Sequence, residues 1–115
     1  VFFYKPDKIL IEADLMFNLP ANEQYSKVPE EQRQSSGLAN PLFTKFQSTD
    51  GDSKWTKRFN WYVLAKDRPS YNESLRVVGS WDFTRIIPCH GDVVEDKGKE
   101  VFENIFTWHL KAGEK

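Results

Sequence analysis

Only one cysteine, Cys89, occurs in the 115 residues. An internal disulfide is therefore excluded, and with it the stapled scaffold on which small secreted domains rely. A reducing compartment, the cytoplasm, is the expectation. No apolar run approaches the roughly eighteen residues of a membrane span, and the opening Val1-Phe2-Phe3-Tyr4 carries neither a basic stretch nor a cleavage site. Neither a spanning segment nor a leader is expected. Charge of one sign is also lacking: sixteen Lys and Arg face seventeen Asp and Glu, net −1, and neither sign forms a long block. That pattern predicts no steering toward an anionic membrane and makes nucleic acid an unfavoured partner. Repeats and linkers are absent too, so residues 1–115 read as a single domain, near the size at which one core becomes comfortably stable.

What the chain does have is aromatic bulk. Aromatic residues make up 15%, with nine Phe and four Trp, which implies large flat groups buried within the chain or against a partner. Val1 to Tyr4 and Ile9 to Leu15 flank a turn at Pro6 and Asp7 and read as a β-hairpin. The second run is almost continuously apolar, as for a strand covered on both faces, and delivers Asp14 near its end. Asn18 to Gly37 reads as a polar surface loop with at most a short helix. Asn40-Pro41 resembles a helix cap and first helical residue, with Leu42, Phe43 and Phe46 inside the helix. Trp55, Phe59, Tyr62 and Val63 share one helical face and read as core. Ser70 and Glu73 suggest a capping box for a helix carrying Tyr71, Leu75 and Val78 on one side before Gly79 ends it. Arg85 to Pro88 reads as a buried strand, and Gly98 to Leu110 as a final helix with an apolar stripe that includes His109. The Asn72-Glu73-Ser74 triplet matches a glycosylation acceptor but is expected to be unused.

Two places put a metal-binding group directly after a strand: Asp14, and His90 in Pro88-Cys89-His90-Gly91-Asp92. Carboxylate oxygen and imidazole nitrogen suit zinc or another divalent metal, and Gly91 lets the backbone turn so that the ring can enter a cleft. Sites in layered α/β folds gather outside the carboxyl ends of strands. Asp92 is a candidate to orient the His90 ring, or equally to stabilise the turn. Cys89, next to His90 on a strand flank, is expected to face the packing rather than act as a nucleophile. The two candidate ligands lie 76 positions apart, so only a fold can bring them together.

Ile9-Leu10-Ile11-Glu12-Ala13-Asp14-Leu15-Met16-Phe17-Asn18-Leu19 and Trp81-Asp82-Phe83-Thr84-Arg85-Ile86-Ile87-Pro88-Cys89-His90-Gly91-Asp92 resemble two segments of the metallo-β-lactamase fold, in the uncharacterised metal-hydrolase-like subgroup common in fungi. The resemblance implies that Asp14 corresponds to the metal-bridging Asp and His90 to the last metal ligand. It covers most of the chain, as the C-terminal half of the fold. The family's His-x-His-x-Asp-His motif is missing, and so is a further His ligand. By implication the fold is α/β, half of an αββα sandwich, with few strands and about four helices. One sheet face would then stay uncovered until a homodimer partner or an N-terminal-half partner packs on it. The functional expectation is a metal-dependent hydrolase with an incomplete metal site. A non-catalytic binding protein on the same scaffold is the alternative, and a nuclease ranks third.

Overall fold

The computed structural model describes residues 1–33 and 41–112. The expected helix start at Asn40 lies outside the described residues. The hairpin forms as expected: β1 (Phe2–Tyr4) pairs antiparallel with β2 (Ile9–Glu12), and the turn between them places Lys8 at φ 54°. β3 (Arg85–Pro88) joins the other side of β2 in parallel, with Leu10 opposite Ile86 and Glu12 opposite Pro88. The resulting sheet has the order β1-β2-β3. Parallel neighbours need a long crossover, and here the crossover contains most of the helices.

Those helices are α1 (Glu30–Arg33), α2 (Pro41–Phe46), α3 (Lys54–Phe59), α4 (Arg68–Gly79), α5 (Gly98–Ile105) and α6 (Thr107–Lys111). α3 continues into a wider π turn over Asn60–Leu64. α4 starts earlier than a Ser70 cap would place it. The Asp67 side chain accepts from the Ser70 backbone N–H and so takes the cap position, with Pro69 in the first turn, where its missing N–H costs nothing. The expected single last helix divides at Phe106, whose backbone leaves the helical region. The Thr107 hydroxyl bonds the carbonyls of Glu103 and Asn104 at the break.

Alternation along the strands sends Phe3, Leu10 and Ile86 to one face of the sheet. There Leu10 and Ile86 join Leu75, Val78, Phe83, Phe102, Ile105 and Phe106 in one buried cluster. Phe102 packs edge-on to Phe83, and Phe3 stacks on Trp81. Gly98 lets α5 approach this layer: a Cβ there would sit 2.9 Å from both the Ile86 side chain and the Thr84 carbonyl. Lys99 closes the end of α4, its ammonium bonding the carbonyls of Gly79 and Trp81.

The other face of the sheet is open. Phe2, Tyr4 and Ile11 are exposed there, with Ile9 and Ile87 half-buried between them. This corrects the expectation that β2 is covered on both sides, because among the described residues no layer packs over Ile11. The Trp55, Phe59, Tyr62 stripe is corrected as well. Trp55, Tyr62 and Val63 are exposed, and the helix instead buries Thr56 and Asn60. α3 lies at the margin of the molecule and packs on α2 through Phe46, which contacts both Trp55 and Phe59. Among the described residues no helix is long and apolar enough to cross a membrane.

Candidate functional site

The parallel pairing of β2 and β3 brings their carboxyl ends side by side. Past the strand ends, the Cys89 N–H donates to the Glu12 carbonyl at 2.9 Å. Residues 13–17 then loop outward before the chains rejoin, with the Asn18 N–H donating to the His90 carbonyl (3.3 Å) and the Asp92 N–H to the Asn18 carbonyl (3.0 Å). His90 therefore sits between two rungs of one interrupted ladder. Asp14 stands on the loop opposite, its Oδ1 3.5 Å from His90 Nε2. The structure thus brings together the two ligands proposed from the sequence. The His90 side chain is 34% exposed and that of Asp14 77%, so the pair opens to solvent at the sheet edge. Phe17 supports the imidazole, with ring centroids 4.8 Å apart, and Phe43 meets Phe17 edge-on.

Side chains from the stretch read as a polar surface loop hold this edge in place. The Gln24 amide brackets His90: its nitrogen donates to the Cys89 carbonyl (2.9 Å) and its oxygen accepts the Gly91 N–H (2.7 Å). Asn18 donates through Nδ2 to the Asp92 carbonyl (2.8 Å) and accepts the Thr49 hydroxyl (2.6 Å). Gly91 has φ +105°, and a Cβ on it would lie 2.3 Å from the Asn18 carbonyl oxygen. Only glycine fits that backbone and that contact. The Asp92 carboxylate accepts the Glu23 N–H at 2.8 Å. This contact ties residue 92 to a segment 69 positions away. Cys89 is exposed, which corrects the expectation that it faces the packing. The strand has ended at Pro88, so alternation no longer governs its direction.

A second carboxylate, missed in the sequence, organises the Asp14 loop from beneath. Glu12 is only 4% exposed, and its Oε2 accepts the N–H groups of Leu15 (2.9 Å) and Met16 (3.3 Å). Oε1 is buried without a partner among the described residues. Burial pushes the Glu12 carboxyl up to about 7 against the pull of those two N–H donors, and the Asp14 charge adds to the rise. The detectable signal was a Glu at an inward-facing position of an otherwise apolar strand. Tyr71 feels the same group: burial and the Glu12 charge push its phenol up to about 12.

His109 stands apart from this edge, packed among Trp61, Tyr71 and Phe106 as expected for a core histidine. Its Nδ1 lies 2.7 Å from Asn72 Oδ1. Burial and the charge of Arg68 lower its pKa to about 4, so the neutral ring donates through Nδ1. Asn72 is buried in this contact and unsuited to glycosylation. A cleft of about 460 Å³ between Glu103, Asn104, Thr107, Leu110 and Lys111 involves none of the residues at the strand ends.

Among the described residues no group of three or more His, Cys, Asp or Glu side chains is placed to hold a metal ion. Asp14 and His90 are donors of the right kind for zinc, which ordinarily takes at least three protein ligands. As they stand they make a two-donor edge and not a complete centre. Comparisons with protein-family models, with curated proteins and with solved structures found no match.

Proposed function

We propose that the chain is half of a metal-dependent hydrolase of metallo-β-lactamase type, contributing Asp14 and His90 to a metal centre completed by groups outside the described residues. One observation carries the reading: residues 76 positions apart, both able to ligate a divalent metal, meet within 3.5 Å at the carboxyl ends of adjacent parallel strands. The open apolar face of the sheet supports its second part. Phe2, Tyr4 and Ile11 offer a surface on which a second sheet would pack, supplied by a second copy or by an N-terminal-half partner. The reaction class is hydrolysis of an ester, amide or phosphodiester. The chain's own part is to fix the ligands: Gln24 and Asn18 immobilise the His90 loop, and Glu12 shapes the turn that presents Asp14.

Zinc titration of the chain, followed by NMR of the His90 imidazole and by elemental analysis, tests this. The expected result is a His90 shift that saturates with zinc and is lost in Asp14→Asn. Elemental analysis should find zinc retained at no more than substoichiometric levels unless the chain self-associates. An unmoved His90 signal at millimolar zinc overturns the proposal. A second reading, a non-catalytic binding scaffold, is favoured by the lack of a third donor near the pair among the described residues. That outcome would leave the open sheet face as the functional surface.

A further inference from the structure

The helix that sequence periodicity assigns to the core ends in a tip whose outer face is apolar and exposed. Tyr62 is 69% exposed, Val63 56% and Leu64 42%. These three consecutive residues span about half the circumference, while Asn60 and Ala65 are buried and Trp61 packs on His109, so the end of the helix lies on the body with one apolar face turned to solvent. Charge gathers on the same segment. Residues 54–68 hold five cations, Lys54, Lys57, Arg58, Lys66 and Arg68, against the single acid Asp67, while the other hundred residues hold eleven cations against sixteen acids. The near-neutral total thus conceals a basic segment, from the start of α3 to the first residue of α4, on an acidic remainder.

We propose that this tip docks the protein on an anionic lipid bilayer, with Tyr62, Val63 and Leu64 entering the boundary between headgroups and acyl chains and Arg58, Lys66 and Arg68 lying over the lipid phosphates. An exposed apolar end ringed by cations is the arrangement that interfacial helices use, and a Tyr at that level places its ring in the apolar layer and its hydroxyl in water. Single-stranded nucleic acid, which also selects aromatic and basic groups, fits less well. Binding it requires free ring faces on which bases stack. Here Lys45 and Arg58 lie over Trp55, Arg68 lies over Trp61 and Tyr62, and the Trp61 ring also packs against His109. Val63 and Leu64, the other exposed groups, have no ring to offer.

The test is co-sedimentation of the whole chain with vesicles of phosphatidylcholine and phosphatidylserine in about a 7:3 ratio, against vesicles of phosphatidylcholine alone, with Trp fluorescence as a second readout. The expected partition onto the anionic vesicles is at least about tenfold stronger and is largely lost near ~0.5 M salt. The double variant Val63→Ser, Leu64→Ser should lower it about tenfold or more, and Arg58→Ala and Arg68→Ala about fivefold each. Phe2→Ser with Ile11→Ser, on the open sheet face, should leave it unchanged. Circular dichroism verifies that each variant is folded. Equal binding to both kinds of vesicle, or retention by the folded double variant, would overturn the proposal. So would binding of an oligo-dT strand by a chain that ignores the vesicles.

Discussion

Two buried groups push the pH dependence of stability in opposite directions, and removing one should unmask the other. Folding raises the Glu12 pKa from 4.5 to about 7. The native state therefore holds this proton more tightly than the unfolded chain. The contribution of Glu12 is fullest below pH 4.5, falls as pH rises toward 7, and is flat beyond. A displacement of that size corresponds to about 3 kcal/mol. His109 moves from 6.5 down to about 4, so its contribution is fullest above pH 6.5 and is lost, by about the same 3 kcal/mol, as pH falls toward 4. Between about pH 4.5 and 6.5 the two slopes oppose and nearly cancel, and the urea midpoint of the parent chain should change little. In Glu12→Gln the amide oxygen can still accept the Leu15 and Met16 N–H groups, but the titration is gone. That variant should exceed the parent by up to about 3 kcal/mol at pH 8, equal it near pH 4, and lose stability on acidification. His109→Phe should show the reverse slope. With a denaturant slope of roughly 2 kcal/mol per molar urea for a chain of this length, the separation at pH 8 is about 1.5 M in midpoint. If the midpoint of Glu12→Gln runs parallel to that of the parent from pH 4.5 to 8, Glu12 is not the group held protonated, and the reasoning fails.

Gly91→Ala should destabilise by about 2–4 kcal/mol in urea titration, because the new Cβ meets the Asn18 carbonyl at 2.3 Å on a backbone with φ +105°. The same substitution should displace the His90 imidazole resonance. Gln24→Ala removes the bonds on both sides of His90. It should cost only about 1–2 kcal/mol while broadening or shifting the His90 signal well beyond the shifts seen in the hydrophobic core. Lys99→Met withdraws the ammonium from the carbonyls of Gly79, at the end of α4, and of Trp81 beyond it and should lower thermal stability by about 1–3 kcal/mol. Lys99→Arg should restore part of the loss.

Those elements whose apolar pattern is satisfied within the chain were legible. The hairpin, the buried β3 strand, the α4 face of Tyr71, Leu75 and Val78, and the stripe on α5 and α6 each have a covered side that matches their period. α3 was misread for a reason inherent in periodicity: a stripe of Trp55, Phe59 and Tyr62 shows which side of a helix is apolar but not whether a neighbour exists to cover it. Here α2 covers the stripe only in part, through Phe46, and the widened turn over Asn60–Leu64 further rotates the face. β2 misleads in the same way. Its continuous apolar run implies two covered faces, but among the described residues no layer covers Ile11.

At the site, the two residues proposed as ligands were readable and the contacts that hold their loops were not. Asp14 and His90 stand out because they follow apolar strands, and parallel pairing of those strands brings them together without further help. Gln24, Asn18 and Glu23 lie in polar sequence with no period, and their partners are backbone groups on the far side of the chain, near residues 89–93. A side chain that bonds to backbone demands no particular residue in return, so it leaves no trace in the partner segment. Glu12 is the exception, since a carboxylate facing inward from an apolar strand must find donors or hold its proton, and in the fold it does both in part. The loops that carry Asp14 and His90 are held by bonds made within the chain, so a partner that completed the proposed site would have only to supply its own donors. The backbone conformation of the His90 loop should accordingly stay unchanged when the chain is diluted from any dimer to monomer, and the response to zinc should depend on concentration.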